Sequence, residues 1–361
     1  MRIFILWDYY SHYLNWFESN NPNISELTYK QHIELLLNDY YGTTVSIRDN
    51  LCLIGHDCEI FVGNYYNLQQ KWLNENDEKL NANPETKFEI VLKQIESFKP
   101  DVFYLSSMFD YYGSFLEKVS KITPNIFGWI SCPYNPNLNF NNIKSIITSS
   151  ENFVEQFHNL GLNAVRLRPA FDKMIAEKVS DIKKTVDVSF IGGLSARTHK
   201  FRIKLLEKLV KSGVNLKVWG YGLEKKKFGI FGNPLESCYQ GEVWGMDMYR
   251  ALASSRISLN FHIDVIKGKR EVGNMRMYEA TGCGSMLLTD TGYNIRELFV
   301  PKKEIETYES YDEIIEKVLY YIQHNDEAES IAKAGQSACL ERHSWEKRVV
   351  ELESIFLKYS D

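Results

Sequence analysis

The sequence contains no apolar run of the length that a membrane span requires. A helix that crosses the bilayer needs about 20 predominantly apolar residues in succession. The opening segment, MRIFILWD, reaches an acidic residue too early for a secretory signal peptide. We therefore expect a protein without a transmembrane segment, whose residues 2–7 form a buried strand and whose association with a membrane is at most peripheral.

The sequence signals for a disulfide framework or a metal site are also missing. The six cysteines are scattered without a C-x-x-C pair, the eight histidines include no H-x-x-x-H, and no D-x-D occurs. A chain of 361 residues is long enough to fold without disulfides. We interpret the cysteines as reduced thiols of a cytoplasmic protein, and we expect no metal and no cofactor.

Basic residues are too few for a protein that binds a polyanion. The chain has 42 Lys and Arg against 47 Asp and Glu, which gives a formal net charge of −5. Nucleic-acid binding draws most of its affinity from basic side chains that face phosphates. Nucleic acid is therefore excluded as the main partner, and small or uncharged partners are expected.

What the sequence does contain is a regular alternation of short, β-rich apolar runs with segments of helical period. In the segment 86–98 the apolar residues, among them Phe88 and Ile95, recur on one face. This alternation is typical of βα units stacked around a parallel sheet. The strands predicted in the first half are residues 2–7, 59–62, 101–106, 125–130, 145–148 and 164–167.

The alternation stops at a charged, proline-initiated stretch, residues 169–184, which we interpret as a linker between domains. It then restarts, with predicted helices that begin at His199 and after a capping box at Ser310. We therefore predict an α/β protein of two lobes, residues 1–170 and residues 185–343. The strands predicted in the second lobe are residues 186–191, 216–219, 257–261 and 285–289.

The segment 271–290 is the most informative one, and its pattern predicts a loop, a helix, a glycine stop and a buried strand. Asn274 and Arg276 fall in the first turn of the helix, where unpaired N–H groups favour an anion such as a diphosphate. Arg276 suits phosphate oxygens, and the carboxylate of Glu279 suits the vicinal hydroxyls of a ribose. The alternative is a solvated helix face with a weak Arg276–Glu279 pair.

Glu271 and Glu279 also match the E-x7-E arrangement of many GT-B glycosyltransferases. From about residue 186 to the C-terminus, the sequence resembles the CgeB-like (spore-maturation-protein type) glycosyltransferases. The segments that carry this resemblance are VSFIGG (188–193), LKVWG (216–220), GEVWG (241–245), SLNFH (258–262), NMRMYEA (274–280) and the tail from IAKAGQ (331–336) to HSW (343–345).

The resemblance implies a GT-B fold, in which two Rossmann-like lobes face each other across a cleft. The last helix, residues 344–361, would cross back to the N-terminal lobe, consistent with its apolar stripe. The resemblance further implies that Glu279 binds the donor ribose and that Glu271 lies close to the donor sugar or diphosphate.

Other donor-site residues follow from the same resemblance. Gly192 and Gly193 would let the backbone approach the phosphates, with Arg197 or Lys200 nearby as a countercharge. Trp244 and Gly245 would lie beside the nucleobase. The alternatives are a simple tight turn for the glycine pair and a core position for the tryptophan.

In GT-B proteins the catalytic groups of the N-terminal lobe come from loops at the carboxyl ends of its strands. The loop 7–13 is rich in aromatic residues that could stack on a sugar, and it contains Asp8 and His12 as candidate bases. A second loop, 106–112, contains Asp110. We rank Asp8 and Asp110 above His12, and the alternative for each is a capping or solvent-facing residue.

These observations predict a hexosyltransferase of cell-surface glycan biosynthesis that needs no metal. It would move a sugar from a nucleotide diphosphate sugar to a hydroxyl of a sugar, a lipid-linked glycan or a protein. The alternatives are a non-hydrolysing sugar-nucleotide epimerase and a catalytically idle binding or coat-assembly protein. The segment KKKFGIF, residues 225–231, is interpreted as a solvated loop, with a patch for membranes or a lipid acceptor as the alternative.

Overall fold

The structure of the protein is a computed structural model, and it describes residues 1–106, 108, 110–135, 137–195, 199–223, 234–262 and 271–360, without the side chains of Phe201 and Tyr311. In these segments, no helix is long and apolar enough to cross a membrane.

The chain divides into two compact units. Unit 1 consists of Met1–Arg168 together with Trp345–Asp361, and unit 2 consists of Pro169–Ser344. The segment that we interpreted as a linker, residues 169–184, is part of unit 2. It contains a short helix capped by Asp172, whose carboxylate accepts a hydrogen bond from the backbone N–H of Met174 at 2.9 Å.

Unit 1 is built on a sheet of six parallel strands. The strands are β1 (Arg2–Trp7), β2 (Asp57–Val62), β3 (Val102–Leu105), β4 (Ile126–Trp129), β5 (Ile143–Thr148) and β6 (Ala164–Arg166). Their spatial order is β2-β1-β3-β4-β5-β6. All residues of β3 are buried, as expected for a parallel strand in the middle of a sheet covered on both faces.

In the described part of residues 1–168, seven α-helices accompany this sheet. They are α1 (Ser11–Asn20), α2 (Tyr29–Leu37), α3 (Thr44–Leu53), α4 (Tyr66–Glu75), α5 (Lys87–Phe98), α6 (Ser114–Val119) and α7 (Glu151–Asn159). The apolar face predicted for residues 86–98 is wrong at Phe88, which is 37% exposed, whereas Lys87 and Gln94 are buried. Lys87 is buried because its ammonium group pairs with the carboxylates of Asp8 and Asp110.

Unit 2 is built on a sheet of five parallel strands. The strands are β7 (Val186–Ile191), β8 (Leu216–Trp219), β9 (Ser255–Asn260), β10 (Met286–Asp290) and β11 (Glu306–Tyr308). The order β8-β7-β9-β10-β11 repeats that of the first five strands of unit 1. In such a sheet the winding direction changes beside the first strand, and ligands bind there at the carboxyl ends of the strands.

The helices of unit 2 bury the apolar faces of this sheet. They are α8 (Lys173–Lys178), α9 (Lys200–Lys211), α10 (Gly245–Ala253), α11 (Met275–Gly282), α12 (Ile295–Leu298), α13 (Tyr311–Gln323) and α14 (Asn325–Arg342). Leu205 of α9 and Ile314 of α13 share one core with Val188, Leu259 and Met286 of the strands.

The last helix, α15 (Trp345–Tyr359), belongs to unit 1. The ring of Phe356 lies 4.8 Å from that of Phe127 and 5.6 Å from that of Tyr104, so the helix covers the middle of the first sheet. His56, directly before β2, adds a hydrogen bond to the helix, with Nε2 of His56 and Oε1 of Glu353 2.8 Å apart.

Candidate functional site

The predicted donor segment lies at the carboxyl ends of two neighbouring strands of unit 2. Asn260 is the last residue of β9, Asp290 is the last residue of β10, and α11 begins at Met275. The loop 271–274 that leads into α11 is held by Asn260 directly and by Asp290 through His262. This is the edge of the sheet at which open α/β proteins bind their ligands.

His262 and Asp290 form a buried pair beside this loop. Nδ1 of His262 lies 2.7 Å from Oδ1 of Asp290, and the two side chains are 9% and 3% exposed. Nε2 of His262 accepts hydrogen bonds from the backbone N–H groups of Gly273 at 3.0 Å and Asn274 at 3.2 Å. Sequence reasoning missed both residues, although their positions at the ends of adjacent strands are a usable signal.

Two asparagines outside the loop, Asn260 and Asn294, bind further polar groups of the loop. Asn260 and Asn274 exchange a reciprocal pair of amide hydrogen bonds, each 3.0 Å long. The buried amide of Asn294 accepts from the N–H of Val272 at 2.9 Å and donates to its carbonyl at 2.8 Å. The loop is therefore held by side chains at three successive residues.

The first turn of α11 keeps free hydrogen-bonding capacity. The side chain of Asn274 is occupied by Asn260 and does not cap the helix. The N–H groups of Met275 and Arg276 find no acceptor in the parts of the chain that the structure describes. These groups form the positive end of the helix dipole, where an anion is stabilised.

Arg276 and Glu279 face each other on α11. Nη1 of Arg276 lies 3.0 Å from Oε2 of Glu279, and the side chains are only 16% and 12% exposed. The two groups are not aligned as a hydrogen bond, so Nη1 is a buried donor that no described residue satisfies. The pair therefore differs from the weak surface pair that was the alternative reading of the sequence.

Two ionisable neighbours of Glu279 stay neutral. Burial, and then the charge of Glu279, raise the pKa of the Tyr249 phenol and of the Cys283 thiol well above their ordinary values. Since a thiolate is the reactive form of cysteine, Cys283 is inert at neutral pH.

The predicted glycine pair lies where the ends of β7 and β8 touch. A Cβ atom on Gly193 would lie 3.0 Å from Nε2 of His199, and one on Gly220 would lie 1.8 Å from the carbonyl oxygen of Gly192. A Cβ atom on Gly192 itself would lie 3.0 Å from the ring of Phe190. Glycine is thus required for packing at position 220, whereas a side chain at 192 or 193 would need its neighbouring ring to shift by a few tenths of an ångström. The approach of phosphates to this backbone stays a prediction.

Arg202 of α9 connects the ends of β7 and β9, the strands between which the winding direction changes. Its Nη1 donates to the carbonyl of Gly193 at 2.9 Å and its Nη2 to that of Phe261 at 3.3 Å. Burial lowers the pKa of its guanidinium. Sequence reasoning missed this residue because one arginine in a basic amphipathic helix looks like an ordinary surface residue.

Trp244 is a core residue rather than an exposed platform. It is 7% exposed, its Nε1 lies 3.3 Å from Oε2 of Glu242, and Gly245 begins α10. Its ring lies parallel to that of Tyr221, with centroids 6.0 Å apart, and Tyr221 is 40% exposed. Tyr221 is therefore the exposed ring of this pair.

Some predicted residues lie at the limit of the described structure or beyond it. Glu271 is half-buried and begins the described segment 271–360. Arg197 and the segment 225–231 lie outside the described residues.

In unit 1, Lys87 joins the two carboxylates that sequence reasoning ranked first as catalytic candidates. Its Nζ lies 2.6 Å from Oδ2 of Asp8 and 2.9 Å from Oδ2 of Asp110. The hydroxyl of Tyr111 donates to Oδ1 of Asp8 at 2.9 Å, and the tyrosine ring lies 4.5 Å from Nζ. Asp8 and Asp110 are thus brought together at the carboxyl ends of β1 and β3.

The two carboxylates differ in their environment. The side chain of Asp8 is 13% exposed and that of Asp110 is 61% exposed. Burial raises the pKa of Asp8 by more than Lys87 and Tyr111 lower it. Burial alone would lower the pKa of Lys87, but its two carboxylate partners outweigh that effect and raise it. Asp110 is the accessible carboxylate of the group.

Asp110 borders a groove of about 680 Å³ that the exposed rings of Phe88 and Tyr112 also line.

His12 is exposed in the first turn of α1. In the loop 7–13, Tyr9 and Tyr13 are buried, and Tyr10 is 65% exposed. Within the described segments, no group of three or more His, Cys, Asp or Glu side chains could hold a metal ion.

Comparison with known proteins finds a family that part of this chain resembles in sequence. A model of a family described as glycosyl transferase-like matches residues 197–354. Among proteins of curated function, none matches the sequence of this chain.

Several solved structures have the same fold over nearly the whole chain. A glycosyltransferase from Rickettsia africae aligns with a TM-score of 0.59 at 13% identity, covering 99% of this chain and 98% of that one. AviGT4, a glycosyltransferase of avilamycin A biosynthesis, aligns at 0.58 with 16% identity over 89% and 91% of the two chains. HepE of Anabaena, crystallised with UDP, aligns at 0.58 with 12% identity over 99% and 100%.

The fold is therefore two parallel sheets with flanking helices, as in structures of GT-B glycosyltransferases, which confirms the predicted fold. Residues 197–354, which include Arg276 and Glu279, are similar in sequence to the glycosyl transferase-like family.

Proposed function

We propose that the protein is a glycosyltransferase that binds a nucleoside diphosphate sugar on unit 2 and transfers the sugar to an acceptor hydroxyl. The observation that carries this proposal is the Arg276–Glu279 pair. Both side chains are mostly buried, and they lie beside N–H groups that no described residue accepts. Burying an ion pair costs several kcal/mol per ion in lost hydration. A pair whose other hydrogen-bonding groups are unsatisfied does not recover this cost. A ligand with an anionic part and a hydroxyl-rich part would satisfy both charges.

Each part of the donor has a proposed partner. The diphosphate would accept hydrogen bonds from the first turn of α11 and from Arg276, and the ribose hydroxyls would donate to Glu279. Glu271 would lie near the sugar, and Tyr221 would face the base. The complexes of HepE with UDP and UDP-glucose support a uridine diphosphate donor.

In the reaction, the bond between the anomeric carbon and the diphosphate oxygen breaks as the acceptor oxygen attacks that carbon. Arg276 and the helix N–H groups would stabilise the charge of the departing diphosphate, so we propose that no metal is required. If the configuration is inverted, a base must take the acceptor proton. We propose Asp110 for this role before Asp8 and His12, because Asp8 is enclosed by Lys87 and Tyr111.

The finer assignments stay part of this proposal. They are a CgeB-like subfamily, a hexosyl donor, a sugar, lipid-linked glycan or protein acceptor, a role in cell-surface glycan biosynthesis, a cytoplasmic location, and no cofactor besides the donor. Turnover of the donor without an acceptor would instead indicate an epimerase. Tight donor binding without turnover on any acceptor would indicate an idle binding protein.

A thermal-shift screen against UDP, GDP, CMP, ADP and dTDP tests the donor site. A nucleotide at 100 times its dissociation constant stabilises the folded protein by about 2.7 kcal/mol, which raises the melting temperature measurably. We expect UDP to raise the melting temperature of the wild type, and we expect Glu279→Gln and Arg276→Met to lose this response.

The matched control is a second pair with the same spacing. Arg250 and Asp247 of α10 are 2.6 Å apart, but their side chains are 55% and 54% exposed. Arg250→Met should keep the full response to UDP. No response of the wild type to any of the five nucleotides would refute the donor site on α11.

A further inference from the structure

We propose that His262, oriented by Asp290, is a positioning residue of the donor site: it fixes the backbone that sets where α11 begins. The inference rests on the proposed donor site, and it assigns to the pair a role that does not require contact with the donor. Arg276 and Glu279 would be held in place through the main chain of Gly273 and Asn274.

The hydrogen bonds of the ring define its protonation state. Both backbone groups that face Nε2 are N–H donors, so Nε2 must present a lone pair. The proton of the neutral ring therefore lies on Nδ1, which donates to Asp290 at 2.7 Å. Protonation of Nε2 would place a third N–H donor against two others, so the contact requires neutral imidazole with its proton on Nδ1.

Asp290 is itself held rigidly. Its carboxylate, 3% exposed, also accepts from the backbone N–H of His262 at 3.1 Å and from the hydroxyl of Thr289 at 3.1 Å. Arg202 is a further charged group close enough to interact with Asp290. These contacts hold the carboxylate aimed at Nδ1, and they leave the ring little freedom to rotate.

The pair also determines which N–H groups remain for a ligand. His262 takes those of Gly273 and Asn274, the two residues before α11, while those of Met275 and Arg276 stay without a described acceptor. Without His262, the N–H groups of Gly273 and Asn274 would also be open to the anion or to water, and only the contacts of Asn260 and Asn294 would still hold the loop before the helix. A displacement of about 1 Å at such a site can cost about 100-fold in function.

The test is calorimetric titration of the full-length protein with UDP. We expect His262→Phe to weaken UDP binding by about 10- to 100-fold. We expect His262→Gln to recover most of the affinity, because its amide can accept from the loop and donate to Asp290. If His262→Phe does not fold, His262→Gln and Asp290→Asn carry the test, since Asp290→Asn should release the ring and weaken binding.

A buried histidine of the same unit provides the control for a merely structural role. His343 is 4% exposed, and its Nε2 lies 2.8 Å from the carbonyl oxygen of Leu298. His343→Gln should lower the melting temperature and leave UDP affinity within about twofold, in the range of ordinary substitutions away from a site.

The protonation state gives a readout that stability does not. In ¹⁵N-labelled protein, the nitrogen shifts of His262 should show the proton on Nδ1. UDP binding of wild-type affinity in both His262→Phe and Asp290→Asn, or a proton on Nε2, would overturn the positioning role. Failure of the wild type itself to bind any of the five nucleotides would instead overturn the donor site, so the two failures are distinguishable.

Discussion

At the scale of single residues, Lys87 is buried because its ammonium group lies between Asp8 and Asp110. Helical periodicity assigned Phe88 to the core. It did not indicate that the neighbouring Lys87 would be buried instead. The partner Asp8 is 79 residues away in the sequence. A pattern read along one helix cannot contain such a contact, and this is why the cation that organises the two carboxylates was not predicted.

We predict that Lys87→Met lowers the free energy of unfolding of unit 1 by about 3 kcal/mol, because it leaves the enclosed carboxylate of Asp8 without its cation. Urea denaturation followed by circular dichroism measures this change. Adding Asp8→Asn to the variant should restore part of the loss, since the uncompensated charge is then removed.

A lysine on the same helix provides the comparison. Nζ of Lys93 lies 3.0 Å from Oε2 of Glu78, and both side chains are 31% exposed. Lys93→Met should lower the free energy of unfolding far less than Lys87→Met, because a solvent-screened pair contributes little to stability. Equal losses for the two lysines would contradict the role given to Lys87.

The arrangement of the segment 271–290, which we propose as the donor site, was predictable where its contacts are local. Arg276 and Glu279 lie three residues apart on one helix, and a glycine stop follows them. His262, Asp290 and Arg202 act on this segment from other elements. The sequence contains each of them, but only the strand order shows that the ends of β7, β9 and β10 are neighbours.

At the scale of elements, the strands were predicted most accurately. β1, β7 and β8 begin and end at the predicted residues, because apolar runs bounded by polar residues mark a buried parallel strand. Ser310 caps α13 as predicted, its hydroxyl accepting from the N–H of Glu313 at 3.2 Å. The short helix α8 was missed, because six residues of charged sequence carry too little periodicity to identify a helix.

The packing of α14 depends on a glycine inside the helix. A Cβ atom at Gly335 would lie 2.2 Å from the carbonyl oxygen of Glu304. In an exposed helix, replacing glycine by alanine gains about 1 kcal/mol. We predict the opposite sign for Gly335→Ala, a loss of about 1–3 kcal/mol from overpacking, measured as a lower melting temperature.

Ser337 is exposed on the same helix and serves as the control. Ser337→Ala should change stability by about 0.5 kcal/mol or less. A melting temperature of Gly335→Ala above that of the wild type would show that α14 can move away from Glu304 at no cost.

At the scale of the whole molecule, the two units share a strand order although no internal repeat is visible in the sequence. β2-β1-β3-β4-β5 in unit 1 corresponds to β8-β7-β9-β10-β11 in unit 2. The right-handed connection between parallel strands and the need to cover both faces of the sheet restrict the possible topologies to a few. Many sequences satisfy these restrictions. Two units can therefore share a strand order without detectable similarity between their sequences.

The units differ in how the chain builds them. Unit 2 is one continuous segment, whereas unit 1 needs Trp345–Asp361, whose Val349, Leu352 and Phe356 are fully buried. Each such side chain contributes about 1.5–3 kcal/mol by burial. We predict that a fragment of residues 169–344 melts cooperatively, and that a fragment of residues 1–168 does so only after a peptide of residues 345–361 is added.

Differential scanning calorimetry of the two fragments, with and without the peptide, measures this. As a control, a peptide carrying Phe356→Ala and Leu352→Ala should fail to restore the transition. Cooperative melting of residues 1–168 at the same temperature without the peptide would contradict the dependence on α15.

The position of α15 in the chain also orders events on the ribosome. Unit 1 is translated first, but it cannot be completed until all of Pro169–Ser344 has been made. At ordinary elongation rates this interval lasts about 10–35 s. During this interval, Tyr104 and Phe127 lack their contacts with the ring of Phe356. Unit 2 can therefore complete its core before unit 1, although unit 1 is synthesised first.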